Sequence, residues 1–164
     1  MRAYGFVKEG KDQYYAYRKL TTNDIVSMYK TIIKNKYRRG KALSKPQDAI
    51  ELFQSILLDQ DREVFIVLYL DNRHRVIEVV EEFHGTIDQS AVYPRVIAEH
   101  ALKRSAAACI VGHNHPSGCG DPSESDRAIT RRLKTALSCL DIRLLDHFVI
   151  GAENVTSLAE RGMM

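Results

Sequence analysis

The chain has 164 residues, of which 45% are apolar and 27% are charged, as in an ordinary soluble globular protein. This composition excludes a disordered or fibrous chain. The length favours one compact domain, because a single hydrophobic core usually serves about 100–200 residues. The apolar runs at 65–70 and 106–111 are far shorter than the roughly 20 residues that span a bilayer.

The N-terminal residues and the cysteines indicate the cellular compartment of the protein. The first residues are polar and lack the apolar core of a signal peptide. The three cysteines, Cys109, Cys119 and Cys139, are an odd number without C-x-x-C spacing, which argues against a disulfide framework and a four-cysteine zinc site. We therefore expect a cytoplasmic protein that is not attached to a membrane. Nothing in the sequence indicates its oligomeric state.

Charge is distributed unevenly along the chain. Residues 1–45 contain 12 Lys or Arg against 3 acidic residues, whereas the remainder contains 12 basic against 18 acidic residues. The division predicts a basic N-terminal arm at 1–45, followed by a globular domain at 46–164.

The arm is predicted to contain a hairpin and a helix. Alternating residues at 4–7 and 14–18 favour two short strands. Polar capping residues at 22–24 precede a helical apolar stripe that runs toward Arg39, and Gly40 is predicted to end this helix.

The remaining residues alternate between helical and strand patterns. Pro46 opens a helix, and β-branched and aromatic runs predict strands. The predicted order is strand 64–70, strand 76–83, helix 94–104, strand 106–111, helix 123–140, strand 142–150 and strand 154–156. This order predicts an α/β layered fold whose hairpin makes the sheet mixed.

A pair of histidines follows the predicted strand 106–111. His113 and His115 are two residues apart, so both rings point to one side if the backbone stays extended. Asp126 follows in the first turn of the next helix and can supply a carboxylate. Two His and one Asp leave one position open on a tetrahedral zinc, which is typical of a catalytic site.

An ordinary structural explanation exists for part of this pattern. Ser123 and Asp126 have the spacing of a capping box, which stabilises a helix N-terminus without any metal. Two histidines in a loop are also common. The combination of both features in one strand-to-helix loop is much more specific.

The segment GHNHPSGCGDPSESD resembles the JAMM or MPN metalloprotease motif, which has an upstream Glu, then H-x-H-P, then S-x-x-D. Further segments between Asp61 and Gly162 resemble the RadC branch of that superfamily: DREVFIVLYLD, GTID, VGHNHPSG, PSESD and LLDHFVIG. The resemblance implies a deaminase-like three-layer α/β fold (JAB/MPN), one bound zinc ion, and hydrolysis of a peptide or isopeptide bond.

The resemblance also implies roles for single residues. His113, His115 and Asp126 correspond to zinc ligands, and Ser123 to a hydrogen-bond donor for the carbonyl oxygen. Glu63, at the entrance to strand 64–70, matches the upstream Glu and is the expected general base, with Glu99 as the alternative.

Three nearby residues are assigned less specific roles. Asp146 and His147 match the family's Asp-His pair, so either a contact to a zinc ligand or a core pair would explain them. Cys119 departs from the usual loop of the family, and it could act as a soft ligand, be an oxidisable thiol or be a bystander.

Three competing functions can be compared by the residues that each of them requires. A nucleobase deaminase needs H-x-E followed by P-C-x-x-C, and this chain has neither. A 2-His-1-carboxylate iron site uses the same ligand types as the zinc site. The main alternative is a nucleic-acid-binding protein associated with DNA repair, whose metal site is structural or vestigial. Seven basic residues and no acid lie between Ile25 and Pro46, which suits phosphate contacts as well as a solvated surface.

Overall fold

A computed structural model describes residues 5–10, 13–57, 60–85 and 92–164. The chain divides into two compact units, at residues 1–36 and 37–164. The predicted hairpin residues Tyr4, Lys11 and Asp12, and residues 86–88 of the GTID segment, lie outside the described ranges. Within those ranges, no helix combines the length and the apolar character that a membrane crossing requires.

The first unit contains the predicted hairpin and helix. Strands β1 (Phe6–Lys8) and β2 (Tyr14–Ala16) pair antiparallel, and α1 spans Thr22–Lys36. The expected extension of this helix to Gly40 is wrong, because α1 ends at Lys36, and residues after it bond to other parts of the second unit. Tyr37 donates to the Asp48 carboxylate at 3.2 Å, and the amide of Leu43 donates to the carbonyl of His74 at 3.0 Å. Gly40 lies in the connecting loop with φ +87°.

The second unit is built on a five-stranded mixed sheet in the order β4-β3-β5-β6-β7. The strands are β3 (Val64–Leu70), β4 (Val76–His84), β5 (Ala108–Asn114), β6 (Arg143–Ile150) and β7 (Val155–Ser157). Among the residues that the structure describes, β5 and β6 pair in parallel and the other neighbours in this sheet pair antiparallel. A helical connection joins these two strands, because parallel neighbours need a crossover of a dozen residues or more.

Helices cover both faces of this sheet. They are α2 (Pro46–Leu57), α3 (Pro94–Lys103) and α4 (Glu124–Ser138). All residues of β3 and β5 are buried, which explains why these strands have continuous apolar sequences instead of alternating ones. One core cluster joins β3 and β5 to α3 and α4, with Tyr69, Ile97, Val111, Leu133 and Leu137 among its members. The predicted three-layer α/β fold is confirmed.

Helix α2 packs on the opposite face. The rings of Phe53 in α2 and Phe148 in β6 meet edge to face, with 6.0 Å between their centroids. A Cβ atom added to Gly112 of β5 would approach Phe53 to 2.8 Å. Helix α2 therefore lies directly on the strand that carries His113.

Candidate metal centre

The candidate site lies where β5 ends and α4 begins. His113 is the sixth of seven residues of β5, His115 follows the strand, and Asp126 is in the first turn of α4. The amide of His115 donates to the carbonyl of Ile150 at 3.1 Å, which continues the alignment with β6 beyond the strand. The predicted extended conformation through both histidines is thus present, and their rings lie with centroids 4.8 Å apart.

Three potential ligand atoms converge at this point. The Nε2 atoms of His113 and His115 are 3.0 Å apart. His113 Nε2 is 3.1 Å from Asp126 Oδ1, and His115 Nε2 is 3.4 Å from Asp126 Oδ2. Donor atoms bound to one zinc ion at about 2.0–2.2 Å are separated by roughly 3.3–3.6 Å in a tetrahedral site. The spacing of these three residues suits a single metal ion.

The hydrogen bond on the far side of the His115 ring fixes its proton. The carbonyl oxygen of Cys119 lies 2.8 Å from Nδ1 of His115, and since a carbonyl only accepts, Nδ1 must donate. The other ring nitrogen, Nε2, faces Asp126 and His113, so it is the nitrogen of His115 that a metal ion could reach. The Cys119 thiol is exposed, and it is not in the group of described residues that could bind a metal. Cys119 instead contributes its backbone carbonyl, which accepts from His115.

Asp126 caps α4 and faces the histidines at the same time. Its amide donates to Ser123 Oγ at 3.1 Å, and its Oδ2 accepts from both the amide and the hydroxyl of Ser123 at 2.7 Å. The predicted capping box is therefore present, and it leaves Oδ1 directed at His113. Burial alone would raise the pKa of Asp126, but hydrogen bonds from His113 and His115 outweigh it and hold that pKa well below its usual range.

The charge of Asp126 acts in turn on His115. The hydrogen bond to Asp126 is the largest cause that raises the pKa of His115 above its usual value, although burial opposes it. The negative charge of Glu63 raises the pKa of His115 in the same direction, by less than the hydrogen bond to Asp126 does.

The register of β3 against β5 indicates which part of β5 lies nearest to Glu63. Phe65 lies opposite His113 in this antiparallel pair, so the same register places position 63 opposite His115. The side chain of Asn114, between the two histidines, holds the segment: its Oδ1 accepts from the amide of Val64 at 2.8 Å, and its Nδ2 donates to the carbonyl of Arg62 at 2.9 Å.

The alternative base is engaged elsewhere. Glu99 is an exposed residue of α3 whose carboxylate accepts from Lys103 Nζ at 2.5 Å. This ion pair lowers the pKa of Glu99 below its usual value. No described contact connects Glu99 with the candidate ligands.

A second layer of polar residues supports His113 from behind. His113 Nδ1 is 2.9 Å from His147 Nε2, and His147 Nδ1 is 2.6 Å from Thr130 Oγ1. The Thr130 hydroxyl donates to the carbonyl of Asp126, which is one turn earlier in α4. Burial lowers the pKa of His147 well below its usual value, so this ring is neutral. The ring of Phe65 stacks on His113 with 6.0 Å between centroids.

The predicted Asp-His pair separates into two different roles. His147 contacts a candidate ligand, whereas Asp146 accepts from the Ser157 hydroxyl at 2.6 Å and from the amide of Ala159 at 3.0 Å. Sequence reasoning missed Thr130 and Asn114. The signal for Thr130 was its spacing of one helical turn from Asp126, which puts both residues on one face of α4.

Comparison with known proteins assigns the chain to one protein family. The family model described as a RadC-like JAB domain matches residues 43–163. Similar curated proteins are UPF0758 proteins of Vibrio cholerae serotype O1 (strain M66-2), 48% identical over 138 residues, and of Vibrio parahaemolyticus, 49% identical over 138 residues. Each of these two alignments covers 84% of this chain and 62% of the relative.

A UPF0758 protein of Aeromonas hydrophila is 49% identical over 140 residues, which cover 85% of this chain and 62% of the relative. The chain thus spans about three fifths of the length of the curated relatives it matches.

Proposed function

Because the chain belongs to the RadC-like JAB domain family, we propose that it is a zinc-dependent hydrolase that cleaves a peptide or isopeptide bond with a metal-activated water. The observation that carries this proposal is the convergence of His113 Nε2, His115 Nε2 and an Asp126 carboxylate oxygen within 4.8 Å of one another. Two neutral imidazoles and one carboxylate are the donor set of catalytic zinc sites that keep one position for water or substrate.

His113, His115 and Asp126 would hold the ion. When bound, the metal would supply a water with a pKa of about 7 and polarise the substrate carbonyl. The same three ligand types occur in non-haem iron sites, and the family pattern together with the nearby Ser123 favours zinc.

Two further residues would handle the proton and the developing charge. Glu63, opposite His115, would accept a proton from the attacking water and pass it to the leaving amine. The Ser123 hydroxyl would hydrogen-bond the carbonyl oxygen as negative charge develops on it, a contribution worth about 10²–10³ in rate for one such donor. At rest this hydroxyl donates to Asp126 Oδ2, so it must change partner during the reaction.

Metal analysis of protein purified without added metal tests the site. We expect one zinc ion per chain in the wild type and none in the double variant His113→Ala with His115→Ala. His84→Ala is a suitable control, because His84 is exposed and is outside the metal-binding group. Stoichiometric zinc in the double variant would rule out the site. Iron instead of zinc in the wild type would identify iron as the metal that the site binds.

Hydrolysis tests the base separately from the metal. A peptide library digested with the zinc-loaded protein and read by mass spectrometry should show cleavage that disappears in Glu63→Gln while zinc remains bound. Glu99→Gln is the matched control, since it also converts a glutamate but changes only the ion pair with Lys103. Equal activity in Glu63→Gln and the wild type would exclude Glu63 as the base.

A second candidate function is binding of nucleic acid through the basic run between Ile25 and Pro46. The specific observation is that Arg38, Arg39 and Lys41 are all exposed on the loop before α2 and have no ion pair among the described residues. In this alternative the protein would bind nucleic acid in DNA repair, and its metal site would be structural or vestigial.

A further inference from the structure

The loop between β5 and α4 is bonded to the turn between β6 and β7. The amide of Ala152 donates to the carbonyl of Gly118 at 2.9 Å, and the amide of Gly120 donates to the side-chain Oδ1 of Asn154 at 2.8 Å. A third bond lies within the turn, from the amide of Gly151 to the carbonyl of Asn154 at 2.8 Å. The turn therefore holds the loop that follows the two candidate histidine ligands.

Two glycines permit this close approach of loop and turn. A Cβ atom added to Gly120 would collide with the carbonyl oxygen and the Oδ1 atom of Asn154. A Cβ atom added to Gly151 would collide with the amide nitrogen of Gly120 and the carbonyl oxygen of Gly118. The contact is thus made by backbone against backbone, and any side chain at either glycine would force the two segments apart.

The peptide unit between Cys119 and Gly120 connects this turn with His115. Its N–H group, on Gly120, donates to Asn154, and its C=O group, on Cys119, accepts from Nδ1 of His115 at 2.8 Å. A trans peptide unit is planar, so its N–H and C=O groups point in opposite directions. The bond to Asn154 therefore fixes the direction of the carbonyl that holds the imidazole.

The Cys119 carbonyl orients His115 from the side away from the candidate site. His115 lies beyond the end of β5 and is only half-buried, whereas His113 is 1% exposed. The other described polar contacts of the His115 ring are those of Nε2 with His113 and Asp126. The carbonyl uses the opposite ring nitrogen, so its bond does not depend on what Nε2 binds.

We propose that Asn154 is a positioning residue for the candidate metal centre. Through one peptide unit it holds the carbonyl that directs the ring of His115 toward the ion, although 34 positions of sequence separate Asn154 from Gly120. The role rests on the proposed metal site for its purpose. The orientation of the ring is a property of the metal-free protein.

Two substitutions of Asn154 isolate the side-chain acceptor from the rest of the turn. Asn154→Asp keeps an oxygen in place of Oδ1, so the amide of Gly120 keeps its acceptor, whereas Asn154→Ala removes it. Both variants keep the backbone bond from Gly151 to residue 154. Because Asn154 is exposed, we expect both variants to fold, and urea unfolding in the presence of a chelator checks this.

A control variant removes a different tether of the same loop. Arg161 forms an ion pair with Asp121, with 3.2 Å between Nη1 and Oδ1. Arg161→Gln abolishes this pair and leaves the peptide unit of Cys119 and Gly120 with both of its partners. The control therefore distinguishes the proposed role of Asn154 from a general loosening of the loop.

The first measurement is the mobility of the His115 ring in the metal-free protein, by ¹³C NMR relaxation of its ring carbons. We expect larger motion in Asn154→Ala than in the wild type, and wild-type motion in Asn154→Asp and Arg161→Gln. Wild-type motion in Asn154→Ala would overturn the proposal, and so would an equal increase in Arg161→Gln.

The second measurement is zinc affinity, by competition with a chromogenic chelator. Loss of a partner that orients a metal ligand typically weakens binding about 10–100-fold. We expect a loss of about 10-fold in Asn154→Ala, at the lower end of this range because the side chain acts through one peptide unit. Asn154→Asp should bind zinc at least as tightly as the wild type. Equal affinities in the wild type and Asn154→Ala would contradict the proposal.

These outcomes are separable from the proposed function. If the wild type binds no zinc, the hydrolase proposal fails, yet the ring mobility still decides whether Asn154 positions His115. If zinc binds and the Ala and Asp variants behave alike in both measurements, the role of Asn154 is excluded and the hydrolase proposal stands.

Discussion

The side-chain Oδ1 of Asn114 accepts a hydrogen bond from the backbone amide of Val64 at 2.8 Å. The amide nitrogen of the same side chain donates to the carbonyl of Arg62, so one asparagine holds both neighbours of Glu63. Alternation along the strand places Asn114 on the face opposite to the two histidines. A single tripeptide thus supplies two candidate ligands and positions the candidate base.

Asn114→Ala tests this coupling. Loss of both bonds leaves a buried amide and a carbonyl without partners, and we expect the free energy of unfolding to fall by about 1–3 kcal/mol. Hydrogen exchange at the Val64 amide, measured by NMR, should become faster. Zinc affinity should change little, because His113 and His115 keep their own hydrogen-bond partners. The exposed Asn72→Ala is the control, and unchanged protection of Val64 in Asn114→Ala would refute the coupling.

Ser123→Ala separates the structural and chemical roles of this residue. Loss of the N-cap should lower the free energy of unfolding by about 1 kcal/mol, while zinc remains bound by its three ligands. Hydrolysis should fall about 10²–10³-fold if the hydroxyl assists the carbonyl oxygen. Ser123→Thr keeps a capping hydroxyl and should retain most of the stability. Full activity in Ser123→Ala would show that Ser123 caps the helix and does not assist hydrolysis.

Stability of the metal-free protein should depend on pH through His147. Burial lowers the pKa of this ring well below its usual value, whereas the unfolded chain takes up the proton near pH 6.5. The unfolded state therefore binds more protons in mildly acidic solution, and stability must fall as the pH falls. The slope for one proton approaches about 1.4 kcal/mol per pH unit.

Urea unfolding between about pH 5 and pH 6 in the presence of a chelator measures this slope. His115 contributes little there: because its pKa is raised by Asp126, it is protonated in both states at that pH, and its stabilisation is lost only as the pH rises further. His147→Gln should remove much of the slope. An identical slope in this variant would show that another group is responsible.

Binding to nucleic acid predicts a strong dependence on salt. Charge reversal of Arg38, Arg39 and Lys41 together should weaken binding of duplex DNA, and each lost phosphate contact should reduce the slope of log K against log salt by about 0.9. A matched control reverses three exposed basic residues of α4, namely Arg131, Arg132 and Lys134. Filter binding over a salt series compares the two. Equal losses would argue against a specific role for the basic run.

Sequence patterns predicted most of the fold, because periodicity reflects which side of each element is buried. Strands 64–70 and 142–150 and the helix that starts at Pro46 were recognised in this way. The end of α1 was not, because Tyr37 packs and bonds within the second unit and the local signal at Gly40 carries no information about that contact.

The candidate ligands were predictable because their spacing is short and their chemistry is specific. The supporting residues were not, since their partners are distant in sequence. Asn114 bonds to Val64 across 50 positions, and Thr130 meets His147 across 17. Register and helix placement decide such pairs, and neither can be read from a local motif.

The close approach of Phe53 to Gly112 has a consequence for how substitutions far from the metal would be felt. The benzene ring rests against the backbone immediately before His113, where even a methyl group would be 2.8 Å from it. Strand β5 is therefore packed between α2 on one face and the core formed with α3 and α4 on the other. We therefore expect a change in the volume of residue 53 to shift the backbone at Gly112, and with it the adjacent ligand His113 on the other face of the sheet.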